Sequence, residues 1–136
     1  IHPQLDRHHK KALILGTGGA SKAIDFSLKN LGLETVFVSR YERPGTIQYA
    51  DITPEIIKEY NVIVNCTPCG MYPHVDECPL LPYEAMDSHT LLYDLIYNPD
   101  ETLFLKKGKA QGASTCNGLE MLLLQAFASW EFWNNK

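Results

Sequence analysis

The sequence predicts an α/β domain in which helices cover both faces of a parallel sheet, and three observations support that fold class. Short apolar runs alternate along the chain with segments of helical spacing. The first run, 11–16, stops at a glycine-rich turn, and a helical pattern starts directly after it. The chain has 136 residues, 45% of them hydrophobic, which is enough for one domain with a core of its own.

The predicted helices are recognised by their spacing and their caps. In the first, over about 19–31, apolar side chains recur every three or four residues, and Gly32 follows as a C-terminal cap. Thr53 is typical of an N-cap and Pro54 of a first helical position, so a short helix is expected to start there. Another helix is predicted over 101–109. The predicted inner face of the first helix consists of Ala20, Ala23, Ile24, Ser27, Leu28 and Leu31.

The predicted strands are short and bounded by turn residues. An uninterrupted apolar run such as 35–38 is typical of a parallel strand that is covered on both faces. The segment 66–82 contains four prolines and is predicted to be a long loop, which in a compact domain is usually functional or mobile. The strands are predicted at 11–16, 35–38, 47–49, 61–65, 90–94 and 113–115.

The last predicted helix, about 118–133, is apolar on more than one side. Leu119 and Leu122 lie on one face, and Phe132 and Trp133 add bulk to others. A surface helix of a complete monomer shows a single apolar stripe. We therefore expect this helix to dock on another domain or another subunit, with deep burial inside this domain as the alternative.

Strands that alternate with helices imply right-handed crossovers and a Rossmann-like, doubly wound parallel sheet in three α/β/α layers. In such a sheet, ligands bind beyond the carboxyl ends of the strands. The loops expected to matter are therefore 16–20, 39–43, 65–73, 95–99 and 115–118.

The first of these loops consists of Gly16, Thr17, Gly18, Gly19 and Ala20. Glycines there allow a sharp turn and a close approach of a pyrophosphate, while the amide groups and the dipole of the next helix attract its charge. Ser21 stands where the general fingerprint has a third glycine or alanine, and its small side chain should still fit. The turn predicts a dinucleotide site, with an ordinary tight turn as the alternative.

The second loop contains an arginine where enzymes that use NAD commonly place an acid for the ribose 2′-hydroxyl. Arg40 suits a 2′-phosphate because a guanidinium donates two parallel hydrogen bonds, and Arg43 is close in sequence. We interpret the pair as a preference for NADP. Glu42 is a counter-signal, and a solvated arginine is the alternative.

The composition excludes several other functions. The net charge of −4 argues against a general nucleic-acid surface, and no apolar stretch has membrane-spanning length. With no secretory signal, we expect a cytoplasmic protein with reduced thiols. Cys66 and Cys69 have the spacing of a redox pair and, with Cys78 or His74, of part of a zinc site, but the surrounding sequence favours neither, and no metal is predicted.

Four separated motifs occur in the chain: GTGGA at 16–20, NCTPCGM at 65–71, YDLIYNP at 93–99 and NGLEMLLLQA at 117–126. In this order they resemble the C-terminal half of shikimate dehydrogenase, and the resemblance covers nearly all of 10–133. It implies a reversible, NADPH-dependent reduction of 3-dehydroshikimate to shikimate, in the pathway to chorismate and the aromatic amino acids.

The resemblance also implies roles for particular residues. Tyr97 and Gln125 would reach the substrate, for which a hydroxyl and an amide are suited, although a packed tyrosine and a surface amide are the alternatives. After the predicted strand 35–38 this chain reads Ser39-Arg40-Tyr41, where the family usually has Asn-Arg-Thr. The difference puts the 2′-phosphate contacts beside Arg40 in doubt. The turn 16–20 would hold the pyrophosphate; Ser39, Arg40 and Arg43 the 2′-phosphate; Asn65, Cys66, Thr67 and Met71 would border the cofactor; and Leu95 and Gly118 would approach the nicotinamide half.

In this family the catalytic lysine and aspartate come from the N-terminal substrate domain or its junction, so no catalytic residue is predicted in this chain. We expect 1–10 to be a linker from that domain and 11–136 to be the NADP-binding domain, which alone would bind NADP weakly and turn over no substrate. Three alternatives remain: a quinate/shikimate dehydrogenase domain that uses NAD, a non-catalytic nucleotide-binding or interaction module, and a thiol redox protein.

Overall fold

A computed structural model of the chain describes residues 10–96, 99 and 101–117. The strands are β1 (Lys11–Leu15), β2 (Glu34–Ser39), β3 (Thr46–Gln48), β4 (Val62–Asn65), β5 (Leu91–Asp94) and β6 (Ser114–Cys116). They form one sheet in the order β3-β2-β1-β4-β5-β6, and every neighbouring pair is parallel. Because the order reverses between β1 and β4, the sheet is doubly wound, as the sequence predicts.

Helices lie on both faces of this sheet. They are α1 (Gly19–Asn30), α2 (Pro54–Glu59) and α3 (Leu103–Ala110), with single 3₁₀ turns at Tyr49–Asp51 and Tyr83–Ala85. One apolar core joins Leu13 and Leu15 of β1 to Ile57 of α2 and Phe104 of α3. A second core lies on the opposite face, where α1 packs against alternate residues of the same strand. The three-layer prediction is therefore confirmed.

The central strands are apolar except at their ends, because they are covered on both faces. Leu13, Ile14, Ile63 and Val64 are all fully buried. β2 is different, since Val36 and Phe37 are only half-buried and, among the described residues, the strand on its outer side is the three-residue β3. The prediction of full cover on both faces thus holds at the end of β2 and not along its middle.

The predicted helix caps are confirmed. Thr53 caps α2, because its hydroxyl oxygen accepts a hydrogen bond from the amide of Ile56 at 3.3 Å. After α1, the amides of Gly32 and Leu33 donate to the carbonyls of Lys29 and Leu28, each at 3.0 Å. Gly32 adopts φ +90°, the left-handed conformation that this C-terminal motif requires.

The predicted inner face of α1 needs a correction. Its buried residues are Ser21, Ile24 and Leu28, whereas Ala20 and Ala23 are exposed. A single row at three- and four-residue spacing contacts β1 and β2, so the two alanines, which lie beside that row, remain outside the contact.

Several predicted bounds shift by one or two residues. β1 ends at Leu15 rather than at 16, because Gly16 adopts φ +114° and leaves the strand direction. α3 begins at Leu103 rather than at 101, because the side chain of Thr102 is its N-cap. β3 begins one residue earlier than predicted and β6 one residue later.

The predicted loop 66–82 contains no strand or helix, and regular structure resumes only at Tyr83. The segment 1–9 and the predicted last helix, 118–133, lie outside the described residues. Within the described part of the chain, no helix has both the length and the apolar character to cross a membrane.

Candidate functional site

The predicted loops meet at one edge of the sheet. Leu15 pairs with both Val38 and Asn65, and Asn65 pairs with Asp94, so β2, β1, β4 and β5 end side by side. Backbone hydrogen bonds continue this alignment beyond the strands: Gly16 donates to Val38 at 2.9 Å, Cys66 to Leu15 at 2.9 Å and Leu95 to Asn65 at 3.1 Å. The structure thus brings the first residues of four predicted ligand loops together.

The turn 16–20, called here the glycine turn, changes the chain direction between β1 and α1. Gly16 has φ +114°, and a Cβ there would lie 3.3 Å from Cγ2 of Thr67 and 3.5 Å from the carbonyl oxygen of Cys66. The positive φ therefore favours glycine at this position, and a side chain there would also have to displace the loop after β4 slightly.

The other two glycines of the turn face open space. A Cβ at Gly18 or at Gly19 would meet no heavy atom of the described residues within 4 Å. Gly18 is the N-cap of α1 and offers no side-chain acceptor, and the first turn of the helix contains no acidic residue. The first amide groups of α1 are therefore left without a side-chain cap, at the end of the helix that carries partial positive charge.

Ser21 fits where a third small residue is expected. Its side chain is buried, and its hydroxyl donates a 2.6 Å hydrogen bond to the carbonyl of Gly18. The bond fixes the start of α1 against the turn, which confirms the prediction that serine is accommodated.

The loop after β2 presents its arginines to solvent. Ser39 is buried, and its hydroxyl oxygen accepts from the amide of Tyr41 at 3.2 Å, which bends the chain out of the strand. Arg40 and Arg43 are exposed. Among the described residues no carboxylate lies within ion-pair distance of Arg40, although Glu42 is close in sequence.

Arg40 also influences the neighbouring loops. Burial raises the pKa of Tyr49 to about 12, and the positive charge of Arg40 opposes part of that rise. The same charge opposes the rise in the pKa of Cys69 that burial causes. The guanidinium is therefore close enough to the segment after β3 and to the loop after β4 for its charge to act on both.

A buried group of three polar side chains, called here the polar cluster, follows β4 and β5. It consists of Asn65, Asp94 and Thr102. The amide nitrogen of Asn65 donates to Oδ1 of Asp94 at 3.1 Å, and the hydroxyl of Thr102 donates to Oδ2 of Asp94 at 2.6 Å. The cluster thus joins two strand ends to the N-terminus of α3.

The environment of Asp94 opposes its ionisation. Burial raises the pKa of its carboxyl to about 6, while hydrogen bonds from Thr102, the Ile96 amide and Asn65 hold the pKa lower than burial alone would. At neutral pH the group is therefore a buried carboxylate that accepts hydrogen bonds from two side chains and one backbone amide.

The thiols beside the cluster are not activated. Burial raises the pKa of Cys66 to about 12, and burial also raises the pKa of Cys69. A thiolate is the reactive form, so neither cysteine has the lowered pKa of a redox nucleophile. In the described part of the chain, no group of three or more metal-ligating side chains is present.

Some predicted site residues are separate or lie outside the described part. Met71 belongs to the long loop and is 46% exposed, so it is a surface residue near the edge rather than part of the polar cluster. Tyr97, Gly118 and Gln125 lie outside the described residues.

Sequence reasoning missed the roles of Asp94 and Thr102. The available signals were that Asn65 and Asp94 both end apolar strands, and that Thr102 precedes a helical pattern. Polar residues at the ends of adjacent buried strands can meet, but the strand order that makes β4 and β5 neighbours was needed to see the contact.

The parallel sheet, its switch point and the glycine turn define a Rossmann-like domain. Comparisons with known proteins specify the class further. No family model matches the chain. Shikimate dehydrogenase (NADP+) of Methanococcus maripaludis is 37% identical over 141 residues, which cover 92% of this chain and 50% of that protein.

Solved structures give the same result. Shikimate dehydrogenase of Thermus thermophilus, in complex with NADP(H) and shikimate, superposes with a TM-score of 0.70 at 30% identity, covering 92% of this chain and 49% of that one. Shikimate 5-dehydrogenase of Listeria monocytogenes, in complex with shikimate and NAD, gives 0.76 at 26% identity, covering 96% and 53%. The chain spans about half the length of these proteins. Over nearly all of its own length, it is related to one half of the shikimate dehydrogenases.

Proposed function

We propose that this chain is the NADP-binding domain of a shikimate dehydrogenase. The observation that carries the proposal is the glycine turn at the switch point of the sheet, open toward solvent and followed by an uncapped helix start. The relationship to enzymes named for NADP, over 92% of the chain, supports the same cofactor.

In this proposal the cofactor lies across the carboxyl ends of β2, β1, β4 and β5. The amides of 18–20 bind the pyrophosphate, because positions 18 and 19 leave space beside them and the helix start has no side-chain acceptor. Arg40, aided by Arg43 and the hydroxyl of Ser39, binds the adenosine 2′-phosphate. Thr67, packed against Gly16, borders the cofactor together with Asn65 and Cys66, and Leu95 approaches its nicotinamide half.

The substrate is shikimate or 3-dehydroshikimate, and Tyr97 and Gln125 are the residues proposed to reach it. Reduction of a ketone by hydride forms an alkoxide and needs a proton donor. Asp94 has no lysine among its described hydrogen-bond partners, and it is occupied by the polar cluster. Since the chain also spans only about half the length of its relatives, we infer that an N-terminal substrate domain supplies the catalytic lysine and aspartate and that this chain alone turns over no substrate. We also propose that the enzyme acts in the cytoplasm.

Calorimetric titration of the chain with NADP and with NAD tests the cofactor assignment. We expect tighter binding of NADP, and we expect Arg40→Ala to weaken NADP about tenfold while leaving NAD nearly unchanged, because only NADP carries the 2′-phosphate. The matched control is Lys106→Ala, which removes one exposed positive charge from α3 and should change neither affinity.

The outcomes separate the proposals. A chain that binds neither dinucleotide at millimolar concentration contradicts the proposed function and favours an interaction module. Tighter binding of NAD, with no response to Arg40→Ala, supports the domain of a quinate/shikimate enzyme that uses NAD. Oxidation of shikimate by the chain alone would show that the catalytic groups are present after all.

A further inference from the structure

The polar cluster also forms hydrogen bonds to the turns that follow β4 and β5. Besides its bond to Asp94, the amide nitrogen of Asn65 donates to the carbonyl of Cys69 at 3.4 Å. Its carbonyl oxygen accepts from the amide of Thr67 at 3.1 Å and from the hydroxyl of Thr67 at 2.6 Å. One side chain thus fixes both ends of the turn 65–69.

Asp94 fixes the neighbouring turn in the same way. The Oδ1 atom that accepts from Asn65 also accepts from the amide of Ile96 at 3.0 Å. The turn after β5 therefore depends on the carboxylate that holds the turn after β4. The hydroxyl of Thr102 orients this carboxylate from the opposite side, while its oxygen accepts from the amide of Leu105 at 3.4 Å.

The geometry points to Asp94 as a positioning residue that sets the shapes of the turns 65–69 and 94–96 together, and with them the surface that receives the cofactor. This inference rests on the proposed function, since both turns border the cofactor only if the edge binds NADP. Asp94 does not itself contact the cofactor in this arrangement. It acts through Asn65 and through the amide of Ile96.

A purely stabilising role explains the cluster less well. Removing a carboxylate from water is costly, and well-packed apolar side chains of similar volume often give equal or greater stability. The raised pKa of Asp94 shows that its hydrogen bonds do not fully offset this cost. The bonds do fix direction, because the three donors come from different elements: the end of β4, the turn after β5 and the N-terminus of α3.

Thr102 gives the cleanest test because it lies in α3 rather than in either turn. Thr102→Val removes the donor to Asp94 and also removes the N-cap of α3. The matched control is Thr53→Val, which removes the equivalent N-cap bond of α2 and touches no member of the cluster. The rescue variant is Thr102→Ser, which keeps the hydroxyl. NADP affinity is measured for the wild-type chain and all three variants, well below their unfolding temperatures.

We expect Thr102→Val to lose more stability than Thr53→Val, because Thr102 is buried and its replacement also removes a donor to the buried Asp94, whereas Thr53 is exposed. Only Thr102→Val should weaken NADP, by about tenfold, and Thr102→Ser should bind as the wild type does. If Thr102→Val folds and binds NADP as Thr53→Val does, the positioning role is wrong. If Thr102→Val does not fold, Asp94→Leu replaces it, because leucine has a similar volume and no acceptor for Asn65 or Ile96; the same loss of affinity is expected, and unchanged affinity counts against the inference. If the wild-type chain itself binds no NADP, it is the proposed function that fails.

Discussion

The glycine turn and the polar cluster lie at the same edge of the sheet, after β1 and after the neighbouring strands β4 and β5, but they are built in opposite ways. At the glycine turn, positions 18 and 19 face open space and offer backbone amides rather than side chains. In the cluster, Asn65, Asp94 and Thr102 are almost fully buried and use their side-chain atoms on each other. The comparison separates two tasks: the turn leaves its donors for a ligand, and the cluster uses its donors to hold loops.

This difference predicts where substitutions act. Changes in the cluster should alter stability first, because buried polar groups that lose a partner are costly. Changes at the open glycines should alter binding and leave the folded chain intact. Gly16 lies between the two regions, since its conformation serves the turn and its neighbours belong to the loop after β4.

The largest effect is expected from the ionisation of Asp94. Its pKa is raised from 3.8 to about 6, so between these pH values the folded chain binds more protons than the unfolded chain. The stability that this group contributes is therefore fully present below pH 4 and is lost as the pH rises through 6. Relative to Asp94→Asn, which cannot titrate, the wild type should lose up to about 3 kcal/mol of unfolding free energy between pH 4 and 7.

Urea denaturation of the two proteins at several pH values measures this difference. Titrations that both proteins share cancel in the comparison. If the unfolding free energies of the two proteins change equally with pH across this range, the pKa of Asp94 is not raised in the folded chain.

An intermediate effect is expected at Gly16. Gly16→Ala should destabilise the chain by about 1–2 kcal/mol from its left-handed backbone, and further because the new methyl group would crowd Thr67. Gly32→Ala is the matched control, because φ is +90° there and no heavy atom of the described residues lies within 4 Å of the added Cβ. Denaturant unfolding should give a larger loss at Gly16. If the two variants lose equal unfolding free energy, the loop after β4 moves to accommodate the methyl group at no energetic cost.

The smallest effect on stability is expected at Gly18. Gly18→Ala should cost no more than about 1 kcal/mol of unfolding free energy, since alanine is a poorer N-cap than glycine but the backbone has φ −79° and the methyl group meets no described atom. The same methyl group should obstruct a pyrophosphate and weaken NADP about tenfold. Unfolding and calorimetry on one preparation test both parts. Unchanged NADP affinity would remove the glycine turn from the proposed site.

The parallel sheet could be predicted well because the burial of its strands is visible in the sequence as uninterrupted apolar runs. β1, β4 and β5 are continuous apolar runs, and continuous runs arise where both faces of a strand are covered. The caps at Thr53 and Gly32 were equally clear, because capping depends on a few neighbouring residues. The exposure of Ala20 and Ala23 could not be predicted as reliably, since a small apolar residue is found both at the edge and at the centre of a helix–sheet contact.

The candidate site also contains features that the sequence predicts and features that need the tertiary structure. The sequence by itself determined the glycine turn, the arginines after β2 and the order of the loops, because these depend on local backbone chemistry and on the rule that parallel strands end at one edge. Only the tertiary structure decided that Asn65, Asp94 and Thr102 meet, since their contact requires β4 and β5 to be neighbours and α3 to start beside them. Residues 29 and 37 positions from Asn65 come together through strand order, and strand order is set by the packing of the whole sheet rather than by any segment of it.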